Sequence, residues 1–232
     1  MRIWDVNPGY LNRQSLLGEH RELHAIVSII KHNKKGYSRH PETLRWLGFG
    51  WALNQRHRLL AAEMNLRGYQ DRSPVMLKTQ HYEWPQVFVD SPSSQFFILS
   101  KKYKSIEQGR IPLPNDVQQL WAQHQYSVMA RDEAEYKYIG GWVSSRKSGK
   151  GMNDIYPELV SLLRRPPVEG NFKDTVRQMW NYVCSYLSIS GKAAERKTTQ
   201  ILLRETQRLA FLHNIVFLKE STALGELPAW KL

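Results

Sequence analysis

The stretch MRIWDVNPGYLNRQSLLGEHRELHAIVSIIK, residues 1–31, passes from a broken opening segment into an amphipathic helix. Asn7, Pro8 and Gly9 interrupt regular structure, and Asn12 has the short polar side chain that caps a helix N-terminus. Beyond it Leu16, Leu23, Val27 and Ile30 recur at helical spacing on one face, widened by Ile26 and Ile29. The pattern predicts a helix from Asn12 to about Lys31. Glu22 sits one turn before Ile26 and two before Ile29, so a partly desolvated carboxylate is expected at the edge of the apolar stripe. Gly18 costs about 1 kcal/mol relative to alanine in a helix interior. It is expected to admit another backbone, such as the N-terminal segment, at close range. Arg2 directly follows Met1, and methionine is trimmed before small residues, so Met1 is expected to stay in place.

The whole chain of 232 residues suits one large or two small domains, and its apolar fraction of 41% can fill a core. A mean hydropathy of −0.53 fits a soluble protein. No apolar run reaches the roughly 18 residues of a spanning helix, and the opening residues have no signal-peptide pattern. Cys184 is the single cysteine, which excludes an internal disulfide and points to a reducing, cytoplasmic setting. The net charge is +12 with a pI near 9.8. Residues 1–115 contribute an excess of 8 positive charges and residues 116–232 an excess of 4. Such a balance favours polyanionic partners and steers them in from a distance.

Along the chain, KHNKKGYSRHPE (31–42) reads as a basic loop and Ala52–Arg67 as a second helix closed by Gly68. SPSSQFFILSKKYKSI (91–106) reads as a third, with Pro92 in its first turn. IPLPN (111–115) is a stiff linker, because both prolines disfavour helix before them. The expected division is therefore a domain over 1–110 and a second, helical domain over 116–232. Helical spacing resumes at Leu120, Trp121, His124, Val128 and Arg131. Helical stretches are also expected near 153–164, 171–189 and 191–208, with a basic loop SRKSGKG at 145–151. Alternating strand signals are few, and the fold class is mainly all-α.

An α-amino group titrates near about 7.7–8.0, well below lysine, and so retains a neutral fraction at neutral pH. A neutral amine can attack a sugar carbon and form a Schiff base. Every unblocked chain has such a group, so the chemistry needs a partner, and Glu22 is the candidate.

MRI followed by Arg21, Glu22 and Leu23 resembles the start of the phage endonuclease V family, the pyrimidine-dimer DNA glycosylases. The resemblance runs weakly through the basic loop to LRGY at 66–69, and Gly36, Tyr37, His40 and Pro41 match a pattern of bacterial members that begin MRIW. It implies an endonuclease V-like helical domain in which the Met1 amine attacks C1′ of the damaged nucleotide and Glu22 assists. The phage protein uses a threonine amine; here the group belongs to Met1. A histidine near the helix start of the phage protein is Ser15 here. The resemblance implies a DNA repair N-glycosylase with an associated lyase step, excising damaged pyrimidines, ultraviolet dimers first among them. Arg2, Arg21, Lys35, Arg39 and His40 are the candidate phosphate contacts, which position a duplex without reading its sequence. The expected partner is damaged double-stranded DNA, met by a monomer away from any membrane.

Two rivals stand beside this reading: a glycosylase for modified bases in phage DNA, and a DNA-binding protein without catalysis. His20 and His24, one turn apart with Glu19 nearby, form the edge of a metal site, but no third ligand is spaced to complete it. No metal and no cofactor are expected. In the second half, LW-x-x-H-x-Y-x-x-x-ARD (Leu120 to Asp132), YKYIG and NFKDTVRQMWNYVCSYL (171–187) resemble the YbgA-type domain, whose role is uncharacterised and which brings no catalytic residue.

Overall fold

A computed structural model describes residues 1–78, 81–145, 151–190 and 197–230. They form two compact units, Met1–Gly109 and Arg110–Leu232. Helices build both, and no strand occurs among the described residues. The mainly all-α class follows.

The first unit holds α1 (Arg13–His32), α2 (Pro41–Trp46), α3 (Gly50–Leu66) and α4 (Pro92–Lys102), preceded by an extended segment with a 3-10 turn at Pro8–Tyr10. α1 starts where its cap dictates: the Asn12 side chain accepts the Ser15 N–H at 2.9 Å. It stops at Asn33, whose left-handed φ of 48° turns the chain away. The buried stripe of α1 is Leu16, Glu19, Leu23, Ile26 and Ile29, with Val27 and Ile30 only half-buried. The face is thus rotated from the expected one, and it contains a carboxylate.

α2 lies where the sequence suggested only loop and connection. His40 caps it by accepting the Glu42 N–H on Nδ1 at 3.2 Å, and Pro41 occupies the first position, where a missing N–H costs nothing. α3 begins two residues before the expected start and ends ahead of Gly68, which adopts φ 82°. Ser91 caps α4 through the Ser94 N–H.

Gly18 does not make the expected close approach, since nothing lies within 4 Å of where its Cβ would stand. The close approach falls instead at Gly109, where a Cβ would meet the Tyr10 carbonyl carbon at 2.4 Å.

The second unit comprises α5 (Val117–Met129), α6 (Glu133–Ser144), α7 (Met152–Leu163), α8 (Glu169–Leu187), α9 (Thr199–Leu212), α10 (Val216–Lys219) and α11 (Thr222–Glu226). Asp116 and Asp132 cap α5 and α6. Parts of two expected features, residues 146–150 of the basic loop and 191–196 ahead of α9, lie outside the described residues. The ARD motif has a packing explanation. Arg131 is buried and grips Glu226 in a bidentate pair at 2.8 and 2.8 Å, while Trp230 Nε1 donates to the same carboxylate at 3.0 Å. Its guanidinium also donates to the Leu163 and Arg165 carbonyls at 3.2 and 2.7 Å, closing the end of α7. One side chain thereby ties α5, α7 and the C-terminal turn together.

Candidate active site

Residues 1–11 lie extended against the helices of the first unit, with Ile3, Trp4, Val6, Tyr10 and Leu11 buried. An extended segment outside a sheet must find partners for its backbone groups elsewhere, or lose roughly 1–3 kcal/mol for each one left unmade. Acidic and amide side chains take its donors: the Arg2 N–H goes to Glu22 Oε2, the Trp4 N–H to Glu19 Oε1 at 3.2 Å, and the Asp5 N–H to Gln95 Oε1 at 2.7 Å. Arginines take its acceptors. Arg45 Nη1 reaches the Ile3 carbonyl at 3.5 Å, Arg56 Nη1 the Val6 carbonyl at 2.9 Å, and Arg67 Nη1 the Leu11 carbonyl at 2.7 Å. The N-terminus is held along its length from two sides.

The arginines are in turn neutralised. Arg56 forms a two-point pair with Glu19, Nε to Oε1 at 2.7 Å and Nη2 to Oε2 at 2.8 Å. Burial pushes the Glu19 carboxyl up, to about 7, against the opposing pull of Arg56 and the Trp4 N–H. Arg45 pairs with Asp5 and with Glu42, the latter at 3.1 Å, all three side chains at most 3% exposed. Burial likewise raises the Glu42 carboxyl, opposed by Arg45 and by the Trp46 indole. Gln95 Nε2 closes the set by donating to Asp5 Oδ2 at 2.8 Å. Buried networks of this kind are rigid when every member is satisfied.

Met1 and Glu22 are thus brought together. Both residues are half-buried. The Arg2 nitrogen bonded to Glu22 is three covalent bonds from the Met1 nitrogen, which places the amine within roughly 6 Å of the carboxylate.

The candidate phosphate contacts separate into three places. Arg2 is committed to Asp90 at 2.7 Å and stacks on Trp4 at 4.8 Å. Arg21 is exposed, reaches back to the Leu17 carbonyl at 3.3 Å, and lines an open cleft of about 440 Å³ with Asn12, Arg13 and Gln14. Lys35, Arg39 and His40 surround a shallow hollow of about 580 Å³ together with Tyr37 and Ser38. Tyr37 is 69% exposed and stands at φ 57°, an unusual conformation for a large side chain. Ser15 is buried and accepts from the Lys102 ammonium at 2.9 Å.

Sequence reasoning passed over Glu19 and Arg56 as parts of this site, and the signal was present. Glu19 falls on the same helical face as Leu16, Leu23 and Ile26, where an ionisable side chain needs a buried partner. The expectation that no third ligand accompanies His20 and His24 is corrected by the tertiary structure, which brings His57 and Asp71 beside them.

No curated protein and no solved structure matches the chain. The segment that carries the N-terminal brace, α1 and α3, residues 1–77, matches the family model of the pyrimidine dimer DNA glycosylases.

Proposed function

We propose that the first unit is a DNA N-glycosylase with an associated lyase step, acting on damaged pyrimidines through the amine of Met1. The observation that carries this reading is the hydrogen bond from the Arg2 backbone to Glu22, within a segment that matches the glycosylase family. It keeps a primary amine and a carboxylate adjacent on a rigid support, as nucleophile and proton-transfer partner must be. Rigid placement of this sort supplies much of the advantage of an enzymic over a solution reaction.

The neutral amine attacks C1′ of the damaged nucleotide, and the base departs with the electrons of the glycosidic bond. The ionised Glu22 carboxylate stabilises the positive charge that develops on the sugar. Loss of the amine proton and opening of the ring give an imine at C1′, which acidifies the C2′ hydrogen. Glu22 removes that proton, the C3′–O bond breaks, and the 3′ phosphate leaves. Water then hydrolyses the imine and returns the amine.

Extruding a base costs a few kcal/mol and is least costly at a damaged site, where stacking is already poor. Arg21, Lys35 and Arg39 are exposed and His40 is half-buried, and to these four we assign the phosphates of a distorted duplex. Tyr37 is the exposed ring beside them and can stack against an unpaired base. None of this chemistry is assigned to residues 116–232.

Borohydride trapping tests the proposal. The full chain incubated with dimer-bearing or abasic duplex and sodium borohydride should yield a covalent adduct, and peptide mapping should place it on Met1. Tight binding with no adduct would make the protein a DNA-binding module instead. An adduct with hypermodified duplex but none with dimer DNA would move the substrate to modified bases.

A further inference from the structure

On the side of α1 away from Glu22, the fold collects three histidines and an aspartate that the proposed chemistry leaves unused. His20 and His24 stand one turn apart on α1, His57 comes from α3, and Asp71 follows the end of α3. One donor atom from each of the four lies within 4.8 Å of every other. The Nε2 atoms of His20, His24 and His57 are all buried and have no hydrogen-bond partner. Two of them sit at ion-pair distance from the one carboxylate: His20 Nε2 is 3.3 Å from Asp71 Oδ1 and His57 Nε2 is 3.4 Å from Asp71 Oδ2. The rings crowd together, with centroids 4.6, 5.2 and 5.0 Å apart.

Three imidazoles seldom gather around a point without a reason. As a hydrophobic cluster they would strand three ring nitrogens out of water, and as an ion-pair network three cations would share one carboxylate. A divalent metal resolves both difficulties, because it takes a lone pair from each neutral imidazole and the charge of the aspartate. The edge of a tetrahedron with bonds of about 2.0–2.1 Å is roughly 3.3–3.4 Å, which is the separation found between Asp71 and its two histidines. The wider separations close by rotation about the soft χ2 of a histidine.

The geometry points to a structural site for a divalent transition metal, zinc(II) foremost, held by His20, His24, His57 and Asp71. Four protein donors complete a tetrahedron and leave no open position, the mark of a structural rather than a catalytic zinc site. Its position agrees. Glu22 is two residues from His20 along α1, about 200° around the helix, so the ion faces away from the reacting sugar. It would tie α1 to α3 and to the chain that follows, holding still the helix that carries the carboxylate.

The full chain should purify with, or take up from micromolar zinc(II) at neutral pH, one metal ion per molecule by mass spectrometry of the metal. Cobalt(II) in its place should show the intense visible bands of a tetrahedral ion, a readout independent of DNA or turnover. Stripping with a chelator should lower the midpoint of thermal unfolding by several degrees, and zinc should restore it. His24→Gln and Asp71→Asn should each weaken cobalt binding at least tenfold, whereas His32→Gln, outside the cluster, should bind as the unaltered chain does. A chain that takes up no zinc and gives only the pale spectrum of hydrated cobalt overturns the site. Equal binding by His24→Gln, Asp71→Asn and the unaltered chain overturns it as well.

Discussion

The backbone N–H of Arg2 donates to the carboxylate of Glu22, twenty positions along the chain. An amide next to the chain's first nitrogen is thereby fixed on α1, and Glu19 repeats the arrangement one turn earlier through Trp4. Glu22 holds the brace at Arg2 and Glu19 holds it at Trp4. Glu22 faces half-open surface, and Glu19 is sealed beneath it with Arg56.

Glu22→Gln separates the two tasks of that carboxylate. The amide oxygen can still accept from Arg2, so the fold and DNA affinity should be kept. The variant cannot take a proton, and the rate of strand nicking should fall by about 10²–10⁴-fold. Single-turnover nicking of abasic duplex measures this, and unchanged turnover would remove Glu22 from the chemistry.

Arg56→Ala leaves Glu19 buried without its ion pair and strips the Val6 carbonyl of its donor. Breaking a buried pair in this way costs about 3–5 kcal/mol. Denaturant unfolding of the first unit should show a loss of that order. Arg21→Ala, at an exposed position on the same side of the sequence, should change stability by less than about 0.5 kcal/mol.

Two glycines should respond in opposite directions. Gly18→Ala meets open space inside a helix and should stabilise the chain by about 0.5–1 kcal/mol. Gly109→Ala forces a methyl into the Tyr10 backbone and should destabilise it. Thermal unfolding of the two variants compared with the parent checks both signs.

Lys35→Ala with Arg39→Ala should weaken duplex binding uniformly across sequences. Each phosphate contact removed lowers the slope of log affinity against log salt by about 0.9. Titrations at several salt concentrations read this slope, and an unaltered slope would place the phosphates elsewhere.

His124 gives the second unit a pH dependence. It is fully buried in α5, its Nδ1 donates to the Leu120 carbonyl at 2.9 Å, and burial lowers it from 6.5 to about 4. The folded state thus binds fewer protons than the unfolded one between those values. Stability should be complete above about pH 6.5, fall as pH drops toward 4, and level off below, a loss on the order of 3 kcal/mol. His124→Gln should flatten that dependence in thermal unfolding measured across the window.

What could be read within one turn of chain was legible in the sequence. Asn12 caps the helix it was expected to cap, because a cap needs only a short polar side chain and the next few amides. The helical class and the pairing of Glu22 with the N-terminus followed from periodicity and from the likeness of the opening motif. α2 was hidden by the basic composition around it, and its cap, His40, is not among the residues that usually serve. Other features depended on which helices meet. Glu19 pairs with an arginine 37 positions away, and His20 and His24 gain their companions from α3 and beyond. A buried charge has the same letter as an exposed one. Its desolvation has to be offset by a partner whose distance in sequence is arbitrary, so packing alone decided where Glu19, Arg56, His57 and Asp71 belong.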